Sequence, residues 1–390
     1  MNELALGWRT FPGDDYRRVR QLGILRVVTA LYDVPADQVW PLDRLRRELC
    51  DAIEAAGMRF DVVESLPVAD EIMTGGLAAD RLLDIWCGSL ENIARVGVRV
   101  VTYNWMLGPD WCRTHQLTLP DGSETLAYDE AAVESDAGIR PLPGWLKNVD
   151  DQDRQKKLDQ HRTVEPDQLW DGLGRFLRRV TPVAEELGVK LALHPDDPPW
   201  PVFGIPRIIT DAAALDRVLG ICDSPANGLC FCTGSLGASL DNDLPAMIRR
   251  FGARIHFAHV RNLVRIGPRS FYESVHHDGD LDLYNVLAAF YDVGFRGPMR
   301  PDHGHRIWNE QSERPGYYWI TRAMGASYLR GIWQAVSGHA GGADVGLCGP
   351  DQTDRTLARP NVPSKRPTSS RQVAGMADSA APAAVKRRGR

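Results

Sequence analysis

Two periods of hydrophobic residues take turns along the chain. Leu42, Leu45, Leu49 and Ile53 recur every three to four positions, and so do Leu169, Leu173, Phe176, Leu177, Val180 and Val183. Each set is the apolar stripe of an amphipathic helix. Between such stripes lie short β-branched runs, among them Ile24-Leu-Arg-Val-Val28, Val98-Arg-Val-Val-Thr-Tyr103 and Val189-Lys-Leu-Ala-Leu-His194. Strands buried on both faces read in this way. Glycine separates helix from strand six times, at Gly23, Gly57, Gly97, Gly188, Gly252 and Gly294, where a residue just past a helix end takes the left-handed conformation.

The pattern predicts eight strands, at roughly 4–9, 24–31, 59–65, 98–106, 189–195, 228–233, 254–260 and 297–302. Their alternation with helices reads as α/β, a (β/α)8 TIM barrel, with an open doubly wound sheet as the structural alternative. The connection after the fourth strand, residues 107–165, is too long for a plain barrel loop and is expected to be a lid or binding excursion. Within it, Gln116–Tyr128 reads as a hairpin around Pro120-Asp-Gly122. The barrel domain is placed at 1–335 and a disordered tail at 336–390, rich in Gly, Ala, Pro, Ser and Arg and without apolar period.

Composition narrows the function classes. A net charge of -5 over 390 residues argues against a nucleic-acid binder. No apolar run approaches the roughly 18 residues of a membrane span, and the first residues carry no basic, apolar secretory pattern. Seven cysteines without framework spacing predict a reduced, cytoplasmic protein.

The chemistry gathers at strand ends. His194 is followed by Pro195-Asp-Asp-Pro-Pro199, and proline ends the ladder there. Cys232, His259 and Asp302 close three further strands. In a barrel these ends converge, and one thiolate, two imidazoles and a carboxylate suit a divalent transition metal with an open position. Cys230 rivals Cys232, and His256 rivals His259. His256 is expected to be a core histidine because it lies on the opposite face of its strand. Glu64, Tyr103, Asn104, Arg207, Arg261, Asn262, His303 and Tyr317 are the further polar groups expected around a pocket for a hydroxylated anion.

Several of these segments resemble the mannonate dehydratase family: His194-Pro-Asp-Asp-Pro-Pro with Gly204-Ile-Pro-Arg-Ile, Asn227 through Ser235, Phe257-Ala-His-Val-Arg-Asn262 and Arg300-Pro-Asp-His-Gly304. Val28-Thr-Ala-Leu31, Val62-Val-Glu-Ser65, Tyr103-Asn104, Leu119 through Ser123 and Pro315-Gly-Tyr317 extend the likeness from about residue 6 to 335. The resemblance implies a xylose-isomerase-like barrel and dehydration of D-mannonate to 2-dehydro-3-deoxy-D-gluconate in hexuronate breakdown. It implies manganese or ferrous iron (Mn2+ or Fe2+) on His194, Cys232, His259 and Asp302, and proton transfer by His303 and Tyr317. A sugar-acid substrate and a homo-oligomer, a dimer, are the partners expected. The alternatives are a related metal-dependent sugar-acid dehydratase, isomerase or epimerase, and a non-catalytic metal-binding paralogue. The chain departs from the family at Tyr32-Asp33, where members often carry histidine after Thr-Ala-Leu, and at Trp8-Arg-Thr-Phe11.

Overall fold

The computed structural model describes residues 3–134, 151–312 and 314–338. The strands among them are β1 (Gly7–Arg9), β2 (Arg26–Thr29), β3 (Arg59–Val63), β4 (Val100–Asn104), β5 (His115–Thr118), β6 (Glu124–Asp129), β7 (Lys190–His194), β8 (Asn227–Cys232), β9 (Ile255–Val260), β10 (Asn262–Gly267), β11 (Ser270–Ser274) and β12 (Met299–Pro301). Eight are parallel, in the order β1-β2-β3-β4-β7-β8-β9-β12. The Met299 amide donates to the Ala5 carbonyl at 2.9 Å and Leu6 bridges Met299, so the last strand meets the first and the sheet closes into a barrel. A closed barrel removes sheet edges and sends all eight strand C-termini to one mouth.

The pleat sorts the barrel interior into layers, because alternate residues point inward. Val28, Val62, Val100, Ala192, Cys230 and Phe257, from six successive barrel strands, form a separate apolar cluster. Two positions further along four of these strands the inward residue is Glu64, His194, Cys232 or His259, and Asn104 stands four positions beyond Val100, so the polar layer rests on an apolar plug. Outward residues join the larger core beneath the helices. The helix Pro166–Glu186 starts with proline in its first turn and buries Leu169, Leu173, Phe176, Leu177 and Val180. A Cβ at Gly172 would stand 2.0 Å from the Met73 carbonyl oxygen, so glycine there lets this helix approach its neighbour.

The long excursion contains the expected hairpin, β5 paired with β6. Asp121 accepts hydrogen bonds from the Ser123 amide at 2.9 Å and hydroxyl at 2.7 Å, and Gly122 takes a φ of 81°. A second hairpin, β10–β11, follows β9 and pairs with β6, giving a four-stranded antiparallel sheet β10-β11-β6-β5. Sequence reading did not foresee it. Residues 135–150 of the excursion and 339–390 of the expected tail lie outside the described residues. No helix among the described residues is long and apolar enough to cross a membrane.

Candidate active site

At the mouth of the barrel the ligand atoms of His194, Cys232 and His259 lie within 4.8 Å of one another. Strand pairing explains this: Cys232 is in register with His259 on the adjacent strand, and Asn104 with His194. His194 Nδ1 is 2.7 Å from the Pro195 carbonyl oxygen. That nitrogen therefore carries the hydrogen and Nε2 keeps its lone pair. His259 Nε2 is buried without a hydrogen-bond partner, 3.4 Å from Glu64 Oε1. The Ser235 hydroxyl donates to Cys232 Sγ at 3.1 Å. A buried thiol supported by a donor, together with two imidazoles, is a donor set for a transition metal. Asp302 stands at the edge of this trio, with Oδ2 3.8 Å from Cys232 Sγ.

The two rivals occupy other places. Cys230 belongs to the apolar plug one layer below, where burial pushes its thiol pKa well up. His256 bonds through Nδ1 to the Leu191 carbonyl at 2.6 Å, and burial lowers its pKa to about 4.

Around the trio runs a circuit of alternating buried charges. Arg9 Nη1 donates to Glu64 at 2.7 Å. Arg300 donates to Glu64 at 2.6 and 2.8 Å and to Asp302 Oδ1 at 2.7 Å. Arg261 joins Asp302 at 3.1 Å to Asp197 at 2.7 Å. Arg113 joins Asp197, at 2.9 and 3.1 Å, to Glu273, at 2.7 and 2.9 Å. Glu273 then accepts from His303 Nδ1 at 2.8 Å, and His303 Nε2 returns to Asp302 Oδ1 at 3.5 Å. Desolvating so many charges is tolerable only because each is hydrogen-bonded to at least one group of opposite charge. Burial raises the Asp302 pKa, but Arg300, His303, His259 and Arg261 outweigh it and hold the carboxyl well below its usual range. A Cβ at Gly234 would meet the Arg261 guanidinium at 2.3 Å, so the glycine of Thr233-Gly-Ser235 makes room for that link.

His303 and Tyr317 meet edge to face, with ring centroids 4.9 Å apart. Trp111 covers His303 at 4.2 Å. Tyr317 Oη accepts a hydrogen bond from Arg9 Nη1 at 2.7 Å. Gly316, between Pro315 and Tyr317, has a φ of 85° and would bring a Cβ within 3.3 Å of the His303 ring, so both its backbone and its neighbour call for glycine.

The remaining expected pocket residues divide. Glu64 faces the trio, and Asn104 donates to Asp110 at 2.7 Å. Arg261 lies fully buried behind Cys232 and Asp302, in the circuit. Arg207 donates to the Pro109 and Asp110 carbonyls, bracing the loop that leaves β4. Two expectations are corrected. Tyr103 points out of the barrel, against Trp86 and Phe176, with ring centroids 6.1 and 5.0 Å away. Alternation forces this, because Asn104 beside it faces inward. Asn262 is spent on backbone, donating to the His276 and Leu281 carbonyls and accepting from the Leu263 and Leu281 amides.

Sequence reading assigned no role to Arg9, Arg113, Glu273 or Arg300, and placed Asp197 only among the residues shaping the rim. Arg300 and Asp197 lay inside the quoted motifs. Glu273 had one faint signal, the Gly267-Pro-Arg-Ser270 turn between two alternating runs.

A family model described as D-mannonate dehydratase (UxuA) matches residues 6–341. Mannonate dehydratase 2 of Halalkalibacterium halodurans is 45% identical over 323 residues, covering 81% of this chain and 93% of that protein. The crystal structure of a mannonate dehydratase from Streptococcus suis serotype 2 superposes with a TM-score of 0.79 at 36% identity, covering 90% of this chain and 99% of that one. A xylose isomerase domain protein from Planctomyces limnophilus, at 11% identity and a TM-score of 0.53, covers 86% of this chain and 99% of its own and shares the fold.

Proposed function

The chain belongs to the D-mannonate dehydratase family and is a hydro-lyase, and from that premise we propose that it converts D-mannonate to 2-dehydro-3-deoxy-D-gluconate and water at the barrel mouth, a step of hexuronate catabolism. His194, Cys232 and His259, with Asp302 at their edge, would hold one divalent ion, manganese or ferrous iron. The observation that carries this reading is the gathering of two imidazoles and a thiol within 4.8 Å, beside a His–Tyr pair. When bound, the ion supplies positive charge that stabilises an enediolate-like carboxylate.

The chain's own residues move the protons. The hydrogen beside the carboxylate, at C2, leaves to a base, and the C3 hydroxyl departs with a proton from an acid. Tyr317 suits the acid. Its oxygen already accepts from Arg9, so its own O–H is free to be directed at the leaving group. Burial pushes its pKa up, outweighing Arg9 and Arg300, and it stays protonated at neutral pH. His303 is then the base. Nδ1 is committed to Glu273 and Nε2 is the nitrogen that receives the proton. Glu64 and Asn104 line the substrate side of the polar layer, with Arg261 and Arg207 behind it.

The six cysteines among the described residues are free thiols, which supports a cytoplasmic setting. A homodimer is the proposed assembly on the family likeness alone, and light scattering tests it.

Reconstitution with manganese and a panel of aldonates, read by 2-keto-acid formation, tests the function. Turnover of D-mannonate well above the other acids is expected. Preference for another aldonate would favour the second reading, a related sugar-acid dehydratase. Tyr32 motivates that reading. Where the family often has histidine, its ring lies 5.1 Å from Phe11 and within 5.8 Å of the Arg9 guanidinium. No turnover on any acid with metal bound would overturn both.

A further inference from the structure

We propose that Glu273 is the positioning residue of the proton-transfer pair, holding the His303 ring in its working orientation. The inference rests on the reading of His303 as the base and adds the group that aims it.

Glu273 lies on β11, outside the barrel, in the hairpin that joins the accessory sheet. It is fully buried. Its Oε1 accepts from His303 Nδ1 at 2.8 Å and from Arg113 Nε and Nη2 at 2.9 and 2.7 Å. Its main chain is pinned as well, since the carbonyl accepts from Thr125 Oγ1 at 2.7 Å and from His305 Nε2 at 2.8 Å. Arg113 is held in turn by both oxygens of Asp197. The carboxylate is thus held by Arg113, itself anchored on Asp197, while Thr125 and His305 hold the backbone that carries it.

An imidazole boxed by rings can still turn over, exchanging Nδ1 and Nε2 for carbon edges. Trp111 at 4.2 Å and Tyr317 at 4.9 Å confine the His303 plane but do not distinguish its edges. A carboxylate on Nδ1 does, and it also selects the tautomer that offers Nε2 for chemistry. Burial works against the Glu273 charge, but His303, Arg113 and Arg261 outweigh it and hold the pKa down at about 2. The accessory sheet therefore delivers to the site the acceptor that sets the direction of the base.

One detail makes the test clean. Oε1 takes all of these bonds, whereas Oε2 is buried without a partner. In Glu273→Gln the amide oxygen can keep the Oε1 position, with the NH2 where Oε2 stood. Glu273→Asp keeps the charge among the arginines but withdraws it from His303 by about one bond length.

Both variants are prepared as manganese holoenzymes beside His303→Gln, and kcat, KM and bound metal are measured with D-mannonate. For Glu273→Asp a kcat loss of about 10- to 100-fold is expected, with KM within about twofold and metal retained, the effect of misaiming a catalytic group by roughly 1 Å. Glu273→Gln should recover most of that loss. Wild-type kcat in Glu273→Asp, or a loss of kcat and metal with a raised KM in both variants, would overturn the positioning role. The reading beneath it fails separately, through near-normal turnover in His303→Gln. An inactive His303→Gln with a wild-type-like Glu273→Asp sinks the positioning role alone.

Discussion

Arg9 and Tyr317, 308 positions apart in sequence, share a hydrogen bond of 2.7 Å in which Nη1 of the arginine donates to the phenolic oxygen. The same Nη1 donates to Glu64 at 2.7 Å. The first barrel strand therefore ties the loop after the last strand to the polar layer of the third. Barrel closure makes this possible, since β1 and β12 are neighbours only in the ring. The phenol is held where its ring meets Phe11 edge-on at 4.9 Å and its oxygen is met by a cation.

Tyr317→Phe removes the O–H and one acceptor of Arg9 Nη1, which keeps its bond to Glu64. Metal content and fold should be unchanged, while kcat falls by about 10²- to 10⁴-fold, the range for losing a general acid. Steady-state kinetics beside metal analysis checks this. Turnover within about threefold of wild type would remove Tyr317 from the proton path.

Cys232→Ser replaces a soft sulfur ligand with a hydroxyl that stays protonated at neutral pH. Bound metal after dialysis should drop well below that of the wild type, and turnover with it. Cys230→Ala is the control. That side chain sits in the apolar plug, so its loss should keep the metal and lower stability by about 1 kcal/mol. Metal loss in the Cys230 variant and not in the Cys232 variant would reverse the assignment.

Much of this architecture was legible in the chain. The glycine-punctuated alternation of helical stripes and β-branched runs foretold all eight barrel strands, because both periods are local. The gathering of His194, Cys232 and His259 was legible for the same reason: each lies at the end of its own strand, and barrel closure brings strand ends together. Tyr103 was misjudged through neglect of a local rule, since adjacent strand residues cannot both face inward, and Asn104 does. Glu273 and Arg113 were illegible for another reason. Their pairing spans 160 residues and depends on an accessory sheet joining two separate hairpins. No local pattern marks a buried glutamate on such a strand as different from a solvated one.

Tyr103 yields a prediction from its corrected place. The ring is fully buried among Trp86 and Phe176, and the hydroxyl has no hydrogen-bond partner. A buried unsatisfied hydroxyl costs about 1–3 kcal/mol. Tyr103→Phe should leave kcat/KM within about twofold and raise stability by about 1 kcal/mol, read from thermal or urea unfolding. A large loss of activity would restore Tyr103 to the pocket.

Acid should weaken the fold through two histidines outside the His194–Cys232–His259 trio. His256 donates from Nδ1 to the Leu191 carbonyl and His276 from Nε2 to the Val260 carbonyl at 2.9 Å, each as a buried neutral ring. Burial lowers both pKa values from 6.5 to about 4. As pH falls below 6.5, the unfolded chain takes up these protons while the folded chain still refuses them. Stability present above about pH 6.5 is therefore lost progressively toward pH 4, each ring contributing on the order of 3 kcal/mol across that window. Carboxylates such as Glu273, held at about 2 in the fold, add their own loss only at lower pH. Unfolding free energies measured between pH 7.5 and 4 should thus decline well before the carboxylate range. His276→Gln, which keeps a donor toward Val260 without a titrating ring, should flatten part of the slope. Asp196, whose carboxyl burial raises to about 6, gains stability as pH falls through the same window and offsets part of this loss, so a slope that His276→Gln leaves unchanged would show that this ring is protonated in the folded chain.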